Sequence, residues 1–275
     1  SYTASTKGHV KDLGLFANAG FKISENQILS IYGRTDDHNT TGSNQTYKLN
    51  FTQTFGQLKF AATHSTGLRN PSLYELYGSD NYGIGGNPNL KPEKSKTNEI
   101  YGEYNFSDKL KFTSTAYRAK ISDRIESNAA YSRHENQLLS LNQEGLESEL
   151  LFNGNNKVFG LFTNISKSKK TNGAAQSRRP ALSYGGNYSQ KIETNKYGPF
   201  NLNITYKYTG TFMDYDGSAT TKQKSTDLVD LSIRKNWFGN IISLNISNLL
   251  NERYEKPATY SQDGRQFRIN LRKNY

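Results

Sequence analysis

The stretch PFNLNITYKYTGTF, residues 199–212, indicates the fold class. Every second position is large, apolar or glycine, and these positions share one face of an extended chain: Phe200, Leu202, Ile204, Tyr206, Tyr208, Gly210 and Phe212. Asparagine, threonine and lysine occupy the positions between them. A helix would scatter the same apolar side chains around its surface, so this period of two predicts a β-strand with one apolar and one polar face.

The same alternation recurs along the whole chain. It is clear near the beginning, where Leu13, Leu15 and Phe21 share a face, and near the end, where Phe267, Ile269 and Leu271 do. We predict thirteen strands, at residues 12–24, 27–35, 45–55, 58–67, 96–106, 110–121, 139–152, 157–168, 181–193, 199–212, 226–236, 240–248 and 264–275.

The connections between these strands alternate in length. Six are short turns, such as Gly56–Gln57, and six are long loops at residues 36–44, 68–95, 122–138, 169–180, 213–225 and 249–263. Aromatic residues flank nearly every short turn, as Phe55, Phe106 and Trp237 do. Short turns at one rim, long loops at the other and an aromatic girdle are typical of an all-β, antiparallel transmembrane β-barrel of the outer membrane.

Composition supports this fold class and excludes others. Only 33% of the residues are hydrophobic, too few for a conventional buried core, whereas 12% are aromatic, too many for a disordered chain. The absence of cysteine excludes disulfide frameworks, thiolate zinc sites and cysteine nucleophiles. The sequence has no apolar run of about 20 residues that would form a transmembrane helix. One alternative fold stays open, a secreted antiparallel β-sandwich with one face in water.

Net charge does not identify a partner. The formal charge is +11, but lysine and arginine are spread along the chain, and no dinucleotide or phosphate-loop motif accompanies them, so we expect no nucleic-acid partner. Six basic residues are expected at the upper lumen or loop rim, where they could attract anionic substrates or lipopolysaccharide phosphates: Arg118, Lys120, Arg124, Arg133, Arg178 and Arg179.

The number of strands suggests a missing part. A closed antiparallel barrel of this kind has an even number of strands, whereas we predict thirteen. The first residues also lack the charged and apolar segments of a signal peptide. We therefore expect the barrel to be incomplete at its N-terminus.

Three segments resemble the TonB-dependent outer-membrane receptor family. HSTGLRNPSLYELYG, from His64, followed by GNPNLKPEKSKTNE, from Gly86, resembles the mid-barrel signature of that family. NISNLLNERYE, residues 245–255, followed by GRQFRINLRKNY resembles its C-terminal signature, and RRPALSYGGNYS, from Arg178, is similar to a strand entry common in these receptors. Physically the motifs provide scaffolding, since Pro71, Pro88 and Pro92 restrict a long loop.

The resemblance implies a function. Family members have a barrel of about 22 strands closed by an N-terminal plug. Residues 1–275 would then be a single domain, the C-terminal portion of such a barrel, without the plug through which the TonB complex acts. The protein would be an importer of a scarce nutrient and not an enzyme, with no cofactor or bound metal. The loops look most similar to the vitamin B12 (cobalamin) receptor branch; a ferric-siderophore or haem receptor of the same family is the alternative.

Two sets of residues are candidates for function. Residues in or beside long loops are expected to contact the small-molecule nutrient, because tyrosine combines a flat apolar surface with a hydroxyl group: Tyr74, Tyr77, Asn81, Tyr82, Tyr215, Asp216 and Tyr260. Packing within the loops explains each tyrosine about equally well. A second set resembles the terminal signal read by the barrel-assembly machinery: Gly264, Phe267, Ile269 and Tyr275.

Alternatives of other classes are a complete small porin or outer-membrane enzyme and a soluble β-rich binding module. Catalysis finds little support, because His64 and its neighbour Ser65 point to opposite faces of a strand. The pair Asp214-x-Asp216 is similar to the start of a calcium loop but lacks the remaining ligands, which favours a solvated loop. Outer-membrane lipid and lipopolysaccharide are the expected surroundings of the barrel.

Overall fold

The computed structural model describes residues 5–6, 8–79, 83–128, 130–216 and 218–273. Its elements are one short helix and nineteen strands: β1 Ser5–Thr6, β2 Asp12–Ser24, β3 Gln27–His38, β4 Gly42–Phe55, β5 Leu58–Arg69, α1 Leu73–Tyr77, β6 Gly78–Ser79, β7 Glu93–Ser107, β8 Leu110–Ser122, β9 Ile125–Ser127, β10 His134–Asn136, β11 Leu141–Asn153, β12 Lys157–Lys170, β13 Leu182–Ile192, β14 Phe200–Thr209, β15 Phe212–Tyr215, β16 Thr220–Gln223, β17 Thr226–Trp237, β18 Asn240–Ser247 and β19 Gln266–Lys273.

Thirteen strands form one antiparallel sheet, as the alternation predicts. Their order across the sheet is β19-β18-β17-β14-β13-β12-β11-β8-β7-β5-β4-β3-β2, so neighbours in the sheet are consecutive long strands of the chain. The six remaining strands form three two-stranded ribbons, β1–β6, β9–β10 and β15–β16; all of them except β1, which precedes β2, lie within the long connections.

The strand expected at residues 199–212 ends earlier than its sequence pattern does. β14 stops at Thr209, and Phe212 begins the β15–β16 ribbon instead of extending the apolar face. A Cβ atom added to Gly210 would lie 2.8 Å from the carbonyl oxygen of Leu182, so glycine permits the close approach at which the chain leaves the sheet. The pattern continues past the turn because the ribbon alternates as well.

Apolar side chains on one face of the sheet are exposed instead of buried. Register places Ile204 of β14 opposite Leu231 of β17, and Leu49 of β4 opposite His64 of β5. Ile100 of β7 is 54% exposed, and Leu15 and Leu271 of the two outermost strands are also exposed. A soluble β-sandwich covers such a face with a second sheet, so this wall requires an apolar surrounding such as lipid.

No helix in the described ranges is long and apolar enough to span a membrane.

The chain divides into two compact units. Unit 1 contains Ser1–Tyr101, Ala116–Glu144 and Ser168–Ala174; unit 2 contains Gly102–Thr115, Gly145–Lys167 and Ala175–Tyr275. The buried apolar residues of the described chain are few and lie mostly in long connections, where Leu76, Leu90 and Ile125 form one cluster in unit 1. The long loops are therefore packed structures in their own right.

Candidate ligand-binding loops

The loop after β5 is organised by helix α1. Ser72 caps the helix: its hydroxyl accepts a hydrogen bond from the Glu75 backbone N–H at 3.2 Å, and the Glu75 carboxylate accepts one from the Ser72 N–H at 2.8 Å. This reciprocal capping box compensates for the short length of the helix. The S-x-x-E spacing is the signal by which the start of this helix can be found in the sequence.

Arg69 ties the helix to the sheet. Its guanidinium donates two hydrogen bonds to the Glu75 carboxylate, at 3.0 and 3.1 Å, and one to Glu93 at 2.7 Å. The same Glu93 oxygen accepts the backbone N–H of Ile125 at 2.8 Å. One arginine and two carboxylates thus connect the end of β5, helix α1, the start of β7 and the start of β9.

An apolar cluster lies beneath this ionic network. Leu76 of α1 is 0% exposed and packs with Leu90 and Ile125, while Val10 and Tyr77 contact the cluster from its edge. We call this assembly the helix cluster: Val10, Arg69, Leu73–Tyr77, Leu90, Glu93 and Ile125. It shows that the mid-barrel signature mainly builds a scaffold, as its prolines predict.

The first candidate tyrosines belong to the helix cluster. Tyr77 is half-buried and contacts the apolar residues of the cluster, which agrees with the alternative that loop packing explains this tyrosine. The ring of Tyr74 is edge-on to that of His134, with ring centroids 5.6 Å apart. Asn81 and Tyr82 lie outside the described residues. Neighbouring Arg124, expected at the upper lumen or loop rim, is buried, and its guanidinium pairs with Glu126 at 2.5 Å.

Unit 2 contains a different kind of loop assembly, centred on Asp214. Its carboxylate is fully buried and accepts three hydrogen bonds: from Arg178 Nε at 2.6 Å, from the Tyr215 N–H at 2.8 Å and from the Ala258 N–H at 2.9 Å. These donors belong to three different long loops. We call Arg178, Asp214, Tyr215 and Ala258 the aspartate cluster. The expectation of a solvated loop at Asp214 was wrong, because partners distant in sequence enclose it.

Both clusters bias the protonation of their carboxylates. Burial raises the pKa of Asp214, but the hydrogen bonds from Ala258, Arg178 and Tyr215 outweigh burial and hold the pKa below its usual value. The pKa of Glu75 is likewise raised by burial and lowered by Arg69 and Ser72, with a net decrease. Both groups are therefore anionic at neutral pH.

The remaining candidates lie around the aspartate cluster. Tyr215 and Tyr260 are 50% and 66% exposed. The Asp216 carboxylate, in contrast, already has backbone partners. One of its oxygens accepts hydrogen bonds from the N–H groups of Ser218 and Ala219 at 2.9 and 2.8 Å, which closes the turn of the β15–β16 ribbon. Those backbone hydrogen bonds lower the pKa of Asp216.

The C-terminal signature holds its own loop together. Asn248, with φ of 52°, donates to the carbonyls of Glu252 and Asp263 at 2.8 and 3.2 Å and accepts the Glu252 N–H at 2.8 Å. Gly264 fits beside Asn251, since a Cβ atom there would lie 2.7 Å from its side-chain oxygen. The side-chain amide of Asn248 therefore ties both ends of the loop.

The expected assembly signal lies on the last strand. Phe267 and Ile269 are exposed on β19, opposite Ile246 and Leu244 of β18. Tyr275 lies outside the described residues.

His64, the histidine next to Ser65, is held by two polar neighbours. His64 uses both ring nitrogens, contacting the Tyr47 hydroxyl at 3.1 Å and the Asn98 side chain at 2.8 Å, and neither partner is a nucleophile activated for catalysis. Within the described ranges, no group of three or more histidine, aspartate or glutamate residues could hold a metal ion.

Comparison with known proteins agrees with this architecture. A model of the family described as TonB dependent receptor-like, beta-barrel, matches residues 1–249. The chain is 26% identical over 255 residues to the vitamin B12 transporter BtuB of Vibrio cholerae, which covers 89% of this chain and 39% of the transporter.

Solved structures show the same fold. The siderophore receptor PirA of Acinetobacter baumannii has a TM-score of 0.81 at 17% identity, over 98% of this chain and 47% of the receptor. The ferric enterobactin receptor PfeA of Pseudomonas aeruginosa, in complex with enterobactin, has a TM-score of 0.79 at 20% identity, over 95% of this chain and 45% of the receptor. The chain therefore spans less than half the length of these relatives.

Proposed function

Because the chain belongs to the family of TonB-dependent receptor β-barrels, we propose that the complete protein imports cobalamin by TonB-dependent active transport. The location of the family is the outer membrane of Gram-negative bacteria, and its members are receptors and transporters, not enzymes. The choice of cobalamin rests on one observation, the similarity to the vitamin B12 transporter over 89% of this chain. Siderophore receptors share the fold, but identities of 17–20% support the fold alone.

The same proposal assigns parts to the chain. Residues 1–275 form one domain, a C-terminal portion of the barrel wall with its loops, and a plug elsewhere in the protein contacts the TonB complex. Gly264, Phe267, Ile269 and Tyr275 are read by the barrel-assembly machinery. The apolar face of the sheet contacts outer-membrane lipid.

Exposed tyrosines of the loops supply contacts to the ligand. Cobalamin is large, with a flat macrocycle edged by amide groups, and an aromatic ring with a hydroxyl matches both features. Tyr215 and Tyr260 are the best placed, since both are at least half exposed and the aspartate cluster holds their loops together. Tyr74 is a weaker candidate because its ring already contacts His134.

Ligand binding to the purified full-length receptor tests this proposal. Cyanocobalamin, ferric enterobactin and haem are titrated separately, first with the native protein and then with Tyr215→Ala and Tyr260→Ala. We expect cyanocobalamin alone to bind, and each substitution to weaken it about tenfold, the effect of losing one aromatic contact of roughly 1.4 kcal/mol. Tyr197→Ala is the matched control, because Tyr197 is 63% exposed but lies in a short turn. Binding of ferric enterobactin or haem instead would assign the receptor to the alternative branch.

A further inference from the structure

A cavity of about 660 Å³ opens on the face of the sheet that carries exposed apolar residues. Its wall is formed by the ends of β4, β5, β7 and β8 near the long loops, all within unit 1. Gln45 belongs to the wall and shares its face of β4 with Tyr47 and Leu49, because side chains two apart point the same way. The cavity therefore lies on the same face as the exposed apolar residues, at the strand ends where these apolar residues stop.

Three lysines line this cavity: Lys94, Lys96 and Lys120. All three are exposed, and Lys94 and Lys96 share a face of β7 with Ile100, the exposed apolar residue nearest to them on that strand. Lys120 was expected at the upper lumen or loop rim. The cavity lies near the long loops and groups Lys120 with Lys94 and Lys96 on the face of the sheet that carries Ile100.

The lysines have no counter-ion within the described residues. No hydrogen bond or ion pair of their side chains is found there, and no aspartate or glutamate is among the residues that line the cavity. Two carboxylates of unit 1 are already paired with arginine, Glu93 with Arg69 and Glu144 with Arg118. Three like charges around one cavity repel one another unless an anion lies between them.

The position of the cavity along the strands, relative to the exposed apolar residues, indicates what surrounds that anion. Tyr47, His64 and Asn98 form a hydrogen-bonded row across β4, β5 and β7 on the same face. Leu49 lies opposite His64, and Ile100 lies two residues from Asn98 on the side away from the lysines. Lys96 is two residues beyond Asn98, about 7 Å along the strand. A position just beyond an apolar wall that ends in aromatic and polar side chains is where lipid headgroups meet a barrel.

We propose that Lys94, Lys96 and Lys120 bind the phosphate of a lipid headgroup in the outer leaflet of the outer membrane. The hydroxyl group of Ser122, which also lines the cavity, is a further donor for phosphate oxygens. The site requires only that this face of the sheet contacts lipid. It shares no residue with the proposed nutrient site, so either proposal can fail without the other.

The test compares two triple variants of the purified, delipidated full-length receptor. One is Lys94→Gln with Lys96→Gln and Lys120→Gln; the control is Lys22→Gln with Lys59→Gln and Lys109→Gln, which removes three exposed lysines at or beside short turns. Binding of bis-phosphorylated lipid A, dephosphorylated lipid A and inorganic phosphate is measured by native mass spectrometry. Heat-modifiable gel mobility verifies that each variant is folded.

We expect native protein to bind bis-phosphorylated lipid A, and the cavity variant to bind it about 100-fold more weakly, since each lysine beside an anionic membrane surface contributes roughly fivefold. The control should change affinity less than about threefold, and dephosphorylated lipid A should bind as weakly to native protein as to the cavity variant. If the triple cavity variant does not fold, Lys120→Gln alone should lose about fivefold.

Three results would overturn the proposal. Unchanged binding in the cavity variant would show that the lysines do not hold the phosphate. An equal loss in the control would show a general effect of net charge. Inorganic phosphate that binds as tightly as lipid A would show a site for free phosphate and not for a lipid.

Discussion

The helix cluster and the aspartate cluster hold long loops in place by opposite means. The helix cluster distributes its contacts over an apolar core, a capping box and an arginine shared by two carboxylates. The aspartate cluster joins three loops through one buried carboxylate. A distributed cluster tolerates the loss of one contact, whereas a single buried acceptor does not. The loops beside Tyr215 and Tyr260 should therefore be the more sensitive to substitution.

The largest effect is expected for Asp214→Ala. It removes the acceptor of the Ala258 and Tyr215 N–H groups, and Ala258 is buried, so the free energy that opposes loop opening should fall by about 3 kcal/mol. Arg178 contributes less because its side chain is largely exposed. Amide exchange in peptides containing Ala258 should become roughly 100-fold faster.

Asp216→Ala is the control for this prediction, since Asp216 closes only the turn of its own ribbon. It should leave exchange at Ala258 unchanged. Equal exchange in the Asp214→Ala and native proteins would refute the single-acceptor description of the aspartate cluster.

Leu76→Ala should have the second largest effect. Removing a fully buried leucine side chain costs about 2 kcal/mol where the surrounding loops can partly close the gap. The ionic network and the capping box should keep the helix cluster assembled, so faster exchange should be confined to peptides around α1 and Ile125. Leu73→Ala, on the exposed side of the same helix, should change exchange little. Loss of protection throughout the helix cluster would contradict a distributed arrangement.

Glu93→Gln should have a smaller effect still. Arg69 keeps its two hydrogen bonds to Glu75, and a glutamine oxygen can still accept the Ile125 N–H, so the cost should be about 1 kcal/mol. Glu144→Gln, which weakens an exposed ion pair with Arg118, should cost still less and serves as the control. A cost for Glu93→Gln as large as that for Asp214→Ala would show that the two clusters do not differ.

The smallest effect on amide exchange is expected when the pH is lowered. The pKa values of Asp214 and Glu75 are lower in the folded protein than in the unfolded chain. The stability that they contribute is complete above the unfolded pKa values near 4 and decreases as pH falls through the lower, folded values. Exchange at Ala258, corrected for its intrinsic pH dependence, should be constant from about pH 7 to 5 and accelerate a few-fold below about pH 4. Asp214→Asn should abolish that acceleration; acceleration above pH 5 would contradict the assignment.

The strands could be predicted from the sequence far better than the loops. Alternation along β14 or β19 is a local pattern, and each strand of the sheet lies beside a neighbour in the chain. The aspartate cluster has no such signal, because Asp214 meets Arg178 and Ala258, 36 and 44 residues away. Helix α1 is intermediate: its capping box is visible in the sequence, but the tertiary contacts of Leu76 and Arg69, which also stabilise so short a helix, are not.

Uptake of radiolabelled cyanocobalamin by living cells would decide whether the complete receptor imports this nutrient. The full-length gene is expressed in Gram-negative cells that lack their own cobalamin receptor, with and without a functional TonB protein. We expect saturable uptake that disappears without TonB and falls about tenfold in cells with the Tyr260→Ala receptor. No uptake across an outer membrane that contains folded receptor, or uptake independent of TonB, would contradict import by this route.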